Sequence, residues 1–171
     1  MDVKKVFGEV NTPPELREVT LDTLPSSFWK TPKRVLEPCC GSGGYVEDII
    51  DRFMTGLTKP KSKNARYKLI VETCLVWGDI NPDNVELVTK KIDPKHQYKL
   101  QSYVGDALYK DFTPFDAVIT NPPYQMPTSL RKGGWGNKTL WDRFVVKTLD
   151  EWLSVHRFPV NINSMEGKWV Q

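Results

Sequence analysis

The chain has 171 residues, 39% hydrophobic and 26% charged, a balance that predicts one domain with a sizeable core and excludes intrinsic disorder. No apolar run is long enough to span a bilayer, and Met1-Asp2-Val3-Lys4 carries no signal-peptide pattern. The net charge of +3 is too small to name a partner. Cys39, Cys40 and Cys74 have no CxxC spacing, which argues against a zinc site or a disulfide framework and predicts a reducing, cytoplasmic setting. The basic residues are unevenly spread. Five fall in 58–68 with no acid, and five in 128–147 against the single acid Asp142. Each run reads equally as a solvated face or as a contact for an anionic partner.

In chain order, Thr12-Pro13-Pro14-Glu15 has the pattern of a capping box with proline at the first helical position, predicting a helix to about Leu24. Residues 34–36 read as a short apolar strand running into Glu37-Pro38-Cys39-Cys40-Gly41-Ser42-Gly43-Gly44. Val46, Ile49, Ile50 and Phe53 follow at helical spacing. Residues 74–77, continuing 69–71, read as a second buried strand ending at Gly78-Asp79. Asn81-Pro82 then caps a helix on which Val85, Val88 and Ile92 share a face. A third strand spans 98–104 and ends at Gly105-Asp106; a fourth spans 115–120 and stops at Asn121-Pro122-Pro123. Residues 139–153 are amphipathic, with Trp141, Phe144, Val145, Leu149 and Trp152 on one stripe. This alternation predicts an α/β fold, a mostly parallel sheet with helices on both faces and ligands at the carboxyl ends of its strands.

Those strand ends carry the chemistry. Three glycines after the first strand let backbone approach a ligand closely, and the helix N-terminus beyond them favours a carboxylate or phosphate. Asp79 stands where a carboxylate can accept from both hydroxyls of a ribose, and Asp106 where one can reach an adenine amino group. Either acid alone reads as an ordinary loop residue; three such signals in order predict a nucleoside cofactor. Asn121-Pro122-Pro123-Tyr124 has a more specific rationale. The lone pair of an exocyclic amine is delocalised into its ring, so the amine is a poor nucleophile. The Asn121 side-chain oxygen and the Pro122 carbonyl can each accept one of its N–H groups and draw the nitrogen toward tetrahedral geometry. Two prolines fix those acceptors in advance. Tyr124 offers a ring on which an extruded base can stack.

The ordered set resembles the S-adenosylmethionine-dependent amino-methyltransferases, specifically the adenine-N6 DNA enzymes of the gamma motif order. Phe7-Gly8-Glu9-Val10-Asn11-Thr12-Pro13-Pro14 is similar to the family's N-terminal segment, and the match runs through about residue 153. The resemblance implies a Rossmann-like methyltransferase domain over 1–171, with 155–171 an atypical tail, and a place in restriction-modification. It assigns Thr12, Glu37, Gly41, Gly43, Asp79, Ile80, Asp106 and Ala107 to the cofactor, and Asn121, Pro122 and Tyr124 to catalysis, with no metal. Methyl transfer would be direct and in line, onto a base flipped out of double-stranded DNA. For Thr12 two readings stand, a cofactor contact near the methionine part or a helix cap only.

Family members continue with further strands, a closing hairpin and a target-recognition domain. The resemblance therefore predicts a sheet of four or five strands here, with the rest supplied by a missing C-terminal segment or a partner chain. Related chemistry on RNA or on a protein glutamine stays open, as does a cofactor- or DNA-binding module without activity. Cytosine-N4 transfer is more usually associated with serine in place of Asn121. Gly133, Gly134 and Gly136, with Trp135, Arg131, Lys132 and Lys138, read either as a loop that closes on nucleic acid or as a plain surface loop. His156 and Trp169 have no assigned role.

Overall fold

Among the described residues, four short parallel strands carry the fold: β1 (Val35–Glu37), β2 (Leu75–Asp79), β3 (Gln101–Val104) and β4 (Ala117–Val118), in the spatial order β3-β2-β1-β4. The computed structural model describes residues 11–123 and 140–152. Tyr124, the loop residues Arg131 to Lys138, His156 and Trp169 lie outside the described residues. The helices are α1 (Pro14–Asp22), α2 (Gly44–Gly56), α3 (Lys63–Leu69), α4 (Pro82–Ile92) and α5 (Trp141–Lys147). Single 3₁₀ turns occupy Phe28–Lys30 and Ala107–Tyr109.

β1 and β2 are buried along their whole length because both faces of the sheet are covered there, whereas β3, at one end of the strand order, alternates half-buried and exposed residues. Val35, Leu75 and Trp77 point to one face and pack with Val46, Ile49, Ile50 and Phe53 of α2 and Val88 and Ile92 of α4. Leu36 and Val76, one residue out of phase, point to the other face and meet Ala107, Leu108, Phe115, Leu140 and Phe144. The helical spacing read for α2 and α4 is therefore their core face, and each such side chain contributes roughly 1.5–3 kcal/mol by leaving water. Asn81 caps α4 as its position suggests, its side-chain oxygen accepting from the Asp83 N–H at 3.1 Å.

Four expectations are corrected. Residues 69–71 are not strand: α3 ends at Leu69, and Ile70–Cys74 form a π-helical turn before β2. Ile70 and Val71 are fully buried, and a buried helix end carries the same apolar run as a buried strand. β3 starts at Gln101 rather than at residue 98, because the Tyr98 N–H donates to Asp93 Oδ2 (2.8 Å) and the Lys99 N–H to Glu72 Oε1 (3.0 Å). Those donors are spent on carboxylates instead of a ladder. β4 has two residues, extended by the Ile119 N–H donating to the Leu36 carbonyl at 2.9 Å, and Pro122-Pro123 offer no N–H to lengthen it. Among the described side chains of the predicted 139–153 stripe only Phe144 is buried, whereas Trp141, Val145 and Leu149 are 43–63% exposed. A further π-helical turn, Thr148–Trp152, follows it. Among the described residues no helix is long and apolar enough to cross a membrane.

Candidate active site

The sheet order places the first strand beside the fourth at the point where successive connections turn to opposite sides, and a crevice opens there at the carboxyl ends. A cavity of about 810 Å³ occupies it. Gly41, Asp79, Ile80, Asp106, Ala107, Asn121 and Pro122 line it, with Thr12 at its N-terminal rim. Glu37 and Gly43 are not on its wall.

β1 ends where Pro38 breaks the ladder, and the Cys40 N–H donating to the Gly78 carbonyl (2.9 Å) keeps the glycine loop beside β2. The chain then turns back, the Gly43 N–H donating to the Cys40 carbonyl at 2.8 Å. Gly43 sits at φ +93°, and a Cβ there would come within 2.8 Å of Val88 Cγ2, so this position needs glycine both for conformation and for contact with α4. Lys91 from α4 donates to the Ser42 carbonyl (2.9 Å) and pairs with Glu47 (3.3 Å). Gly43 therefore shapes the loop from behind the cavity wall.

Asp79 is 8% exposed and gathers two loops. Its Oδ2 accepts from the Gly41 N–H at 2.9 Å and its Oδ1 from the Asn81 N–H at 2.8 Å. A carboxylate has about four acceptor positions, so this one can hold the loop and still receive hydroxyl donors from the cavity. Ile80 follows on the cavity wall, 42% exposed between buried neighbours, as an apolar platform. Asp106 Oδ1 accepts from the Leu108 N–H at 3.0 Å, capping the turn that sets Ala107 and Leu108 against α5. Its Oδ2 has no hydrogen-bond partner among the described residues.

Glu37 is 1% exposed. Its Oε1 accepts from the Cys39 N–H at 3.1 Å, while Oε2 has no partner among the described residues. Burial, reinforced by the negative charge of Asp79, pushes its pKa up to about 8; the Cys39 N–H and the Thr120 hydroxyl, which lies beside it short of hydrogen-bond geometry, act the other way. The group is therefore a neutral acid near pH 7. Burial likewise pushes the Cys39 thiol and the Tyr103 hydroxyl well up, so neither is a nucleophile at neutral pH. Cys40 and Cys74 are buried and pack in the core.

Asn121 follows β4 at the cavity mouth, and its Nδ2 donates to the Thr12 hydroxyl at 3.0 Å. This settles one of the two readings of Thr12: α1 is capped at Pro13 with no side-chain bond, so the Thr12 hydroxyl is not a helix cap. Sequence reasoning did not find Arg17, Asn84, Tyr109 or Arg143, all on the cavity wall. The Arg143 guanidinium lies 3.5 Å from the Tyr109 hydroxyl and 5.9 Å from its ring centre. Arg17 donates to Asp48 (2.6 Å) and to the Thr12 carbonyl (2.8 Å). Arg17 and Arg143 meet the site through partners distant in the chain, whereas Asn84 and Tyr109 follow Asn81 and Asp106 in the turns at the strand ends.

Fold and site together define a doubly wound α/β domain with a nucleoside-sized cavity bounded by two carboxylates and an Asn-Pro-Pro mouth. The profile of the family described as N-6 DNA Methylase matches residues 2–143, and the chain belongs to that family. Among solved structures it is similar to a modification subunit of a putative type I restriction enzyme from Vibrio vulnificus (17% identity, TM-score 0.56, covering 82% of this chain and 30% of that one). It is also similar to a putative RNA methyltransferase from Pyrococcus horikoshii (16%, TM-score 0.58, 85% and 58%). A third is a putative class I S-adenosylmethionine-dependent methyltransferase from Listeria monocytogenes (16%, TM-score 0.58, 82% and 42%). At these identities the likeness is one of fold, and the chain spans less than two thirds of each of these proteins. No curated protein sequence matches it.

Proposed function

We propose that this chain forms the cofactor-binding and catalytic part of an enzyme that methylates the N6 amino group of adenine in DNA, with S-adenosylmethionine as methyl donor. The observation that carries this reading is that Asn121 and Pro122 open onto the same cavity as Asp79, Ile80 and Asp106. The residues present fit the cofactor. Asp79 keeps acceptor positions for ribose hydroxyls, Ile80 offers an apolar face for an adenine ring, and the Asp106 Oδ2 can accept from its amino group. Gly41 and Thr12 bound the end of the cavity that would take the methionine part. When bound, S-adenosylmethionine supplies an activated methyl group on a sulfonium.

The chain's own work is to orient. Asn121 Oδ1 and the Pro122 carbonyl accept the two N–H groups of the target amine, which localises its lone pair and aligns it for in-line attack. Proline backbone needs no reorganisation to do this. A base in a duplex cannot reach such a site without leaving the stack, so the target base is flipped out, and Tyr124 is proposed to stack on it. Sequence recognition would come from a further segment or a partner chain, in keeping with the Vibrio vulnificus protein being described as a subunit.

Radiolabelled methyl transfer to DNA, RNA and protein pools, followed by nucleoside and amino-acid analysis, tests the reading. Label should appear as N6-methyladenine in DNA. Replacing Asn121 with Ala should lower transfer by about 10²–10³-fold while cofactor affinity stays within threefold. Label in RNA or on protein glutamine, or transfer undiminished in the variant, would overturn it.

A further inference from the structure

Two basic runs far apart in the sequence meet on one face of the fold. The first is 58–68, with five lysines and arginines and no acid; the second is 95–99, with Lys95, His96 and Lys99. Tyr67 of α3 joins them. Its hydroxyl donates to the Ile92 carbonyl at 2.8 Å, and its ring lies 5.5 Å from that of Tyr98. Glu72 closes the same seam, its Oε1 accepting from Lys68 Nζ (2.9 Å) and from the Lys99 N–H (3.0 Å). The two runs precede β2 and β3, so they stand at the amino ends of the sheet, whereas the cavity opens at the carboxyl ends. The length of β2 separates the two ends by about 15 Å. We propose that this basic face is a second nucleic-acid contact, one that holds the phosphate backbone of duplex DNA without reading its sequence. The choice of DNA rests on the function proposed above; the charge and its placement do not.

The cations here are available. Lys59, Lys61, Lys63, Lys95 and Lys99 are exposed, and none has a side-chain partner among the described residues. Elsewhere Lys33, Lys90 and Lys91 each meet a carboxylate. The acids beside the face are few and mostly spent. Asp93 is 1% exposed, and its two oxygens accept from the Gln97 and Tyr98 N–H groups at 2.9 and 2.8 Å. Glu72 is engaged at the seam, and Asp51 of α2 is the remaining carboxylate whose charge reaches Tyr67. The surface therefore offers charge and little else. Tyr67 and Tyr98 are half-buried against the core and against each other, and no large hydrophobic side chain is exposed along 58–74 or 93–99. An unpaired strand needs rings on which its bases stack, and a protein partner needs apolar or aromatic anchors, with lysine depleted among them. Lysine is a flexible point charge, suited to a regular array of phosphates whose condensed counterions it displaces. Of these partners, the backbone of a duplex is the one this face fits.

The test reads binding by fluorescence anisotropy with a labelled DNA duplex made only of G·C pairs, between about 50 and 200 mM salt. Such a duplex offers no adenine to the cavity, so its binding is independent of the reaction proposed there. The parent chain should bind it. The fourfold variant Lys61→Gln, Lys63→Gln, Lys95→Gln and Lys99→Gln should bind more weakly by at least about tenfold at about 100 mM salt. Its slope of log K against log salt should be shallower by about 2–4. Arginine at the same four positions keeps the charge and should retain both affinity and slope. All four side chains are exposed and unpaired, so both variants should melt with the parent. Unchanged affinity and slope in the glutamine variant would overturn the proposal, as would a parent chain that leaves the G·C duplex unbound. Equal or tighter binding of a thymine-only single strand or of the same sequence as duplex RNA, or displacement of the DNA by polyglutamate, would assign the face to another partner and overturn it too. Methyl transfer to adenine-containing DNA is measured alongside. In the glutamine variant the rate at saturating DNA should be unchanged, while the DNA concentration giving half of it rises by at least about tenfold. Transfer that persists while the G·C duplex goes unbound sinks this inference alone. A bound G·C duplex without any transfer leaves it standing and counts against the reaction instead.

Discussion

The two sides of the cavity are built by different means. On the β1–β2 side, backbone groups of the glycine loop are tied to the sheet and to the Asp79 carboxylate by bonds of 2.8–2.9 Å, and α2 and α4 bury their apolar faces behind it. On the β4 side, a two-residue strand delivers Asn121, and its recorded side-chain partner comes from a segment before the first helix. The first side is held by local backbone geometry and one carboxylate; the second borrows its order from elsewhere in the chain. A ligand that must be gripped whole suits the first construction. A reaction centre that must admit and release a large substrate suits the second, where side chains of distant segments meet across the cavity mouth.

The sharpest way to break this comparison is at Asp79. Replacing it with Ala leaves the Gly41 and Asn81 N–H groups without their acceptor and removes a proposed ribose contact at once. Unpaired buried donors cost about 1–3 kcal/mol each, and calorimetry should find S-adenosylmethionine affinity reduced by roughly 100-fold or more. Affinity close to that of the parent would mean that the loop is held by its glycines and by Cys40 alone, and the contrast between the two sides would fail.

How far each side can be read from sequence follows the same division. Asn81 as a cap, Val85, Val88 and Ile92 as a core face, and the glycine loop all depend on neighbours within a few residues, and each is found where the spacing puts it. Asp79 and Asp106 are likewise at strand ends, although their local work of holding a loop and capping a turn is not visible in the letters. The β4 side is less legible. Thr12 with Glu15 has the signature of a capping box, yet the hydroxyl is drawn to Asn121, a competition that only the folded chain reveals. Arg17 looks like a helix surface residue and becomes a link between α2 and the N-terminal segment. The apolar stripe on α5 is real in periodicity, but among the described residues only Phe144 of that stripe finds a buried place, against Ala107 and Leu108.

A second change, smaller than the first, sharpens the comparison by stressing the sheet beneath the glycine loop. Gly78 pairs with Tyr103 across β2 and β3, and a Cβ at 78 would lie 2.4 Å from the Tyr103 ring. The ring cannot swing away cheaply, because it packs against Phe112 at 5.3 Å and its hydroxyl is buried. Gly78→Ala should cost about 2–3 kcal/mol in urea or thermal unfolding, an overpacking penalty rather than a cavity. Trimming the ring in the double variant Gly78→Ala with Tyr103→Leu should recover part of it. If the single change is neutral, the β2–β3 contact is looser than the geometry indicates.

The smallest effect is expected at Glu37, and it distinguishes a carboxyl retained for stability from one retained for another reason. Its pKa stands at about 8 in the folded chain against 4.5 for an exposed glutamate. Between those values the folded state holds a proton that the unfolded state has lost, so stability falls as pH rises from about 4.5 to about 8 and levels off above. Glu37→Gln cannot titrate and should remove that slope. The two chains should unfold alike at pH 5. By pH 9 the variant should have gained on the parent by at least about 1 kcal/mol, because ionising the buried carboxyl destabilises only the parent. Parallel stability curves from pH 5 to 9 would mean that Glu37 is already ionised and paired in the fold. A carboxyl that weakens the fold across the neutral range is kept at the end of β1 against its own cost. Its place beside Asp79 and Thr120, directly behind the glycine loop, puts that cost on the side of the cavity that is otherwise built most firmly.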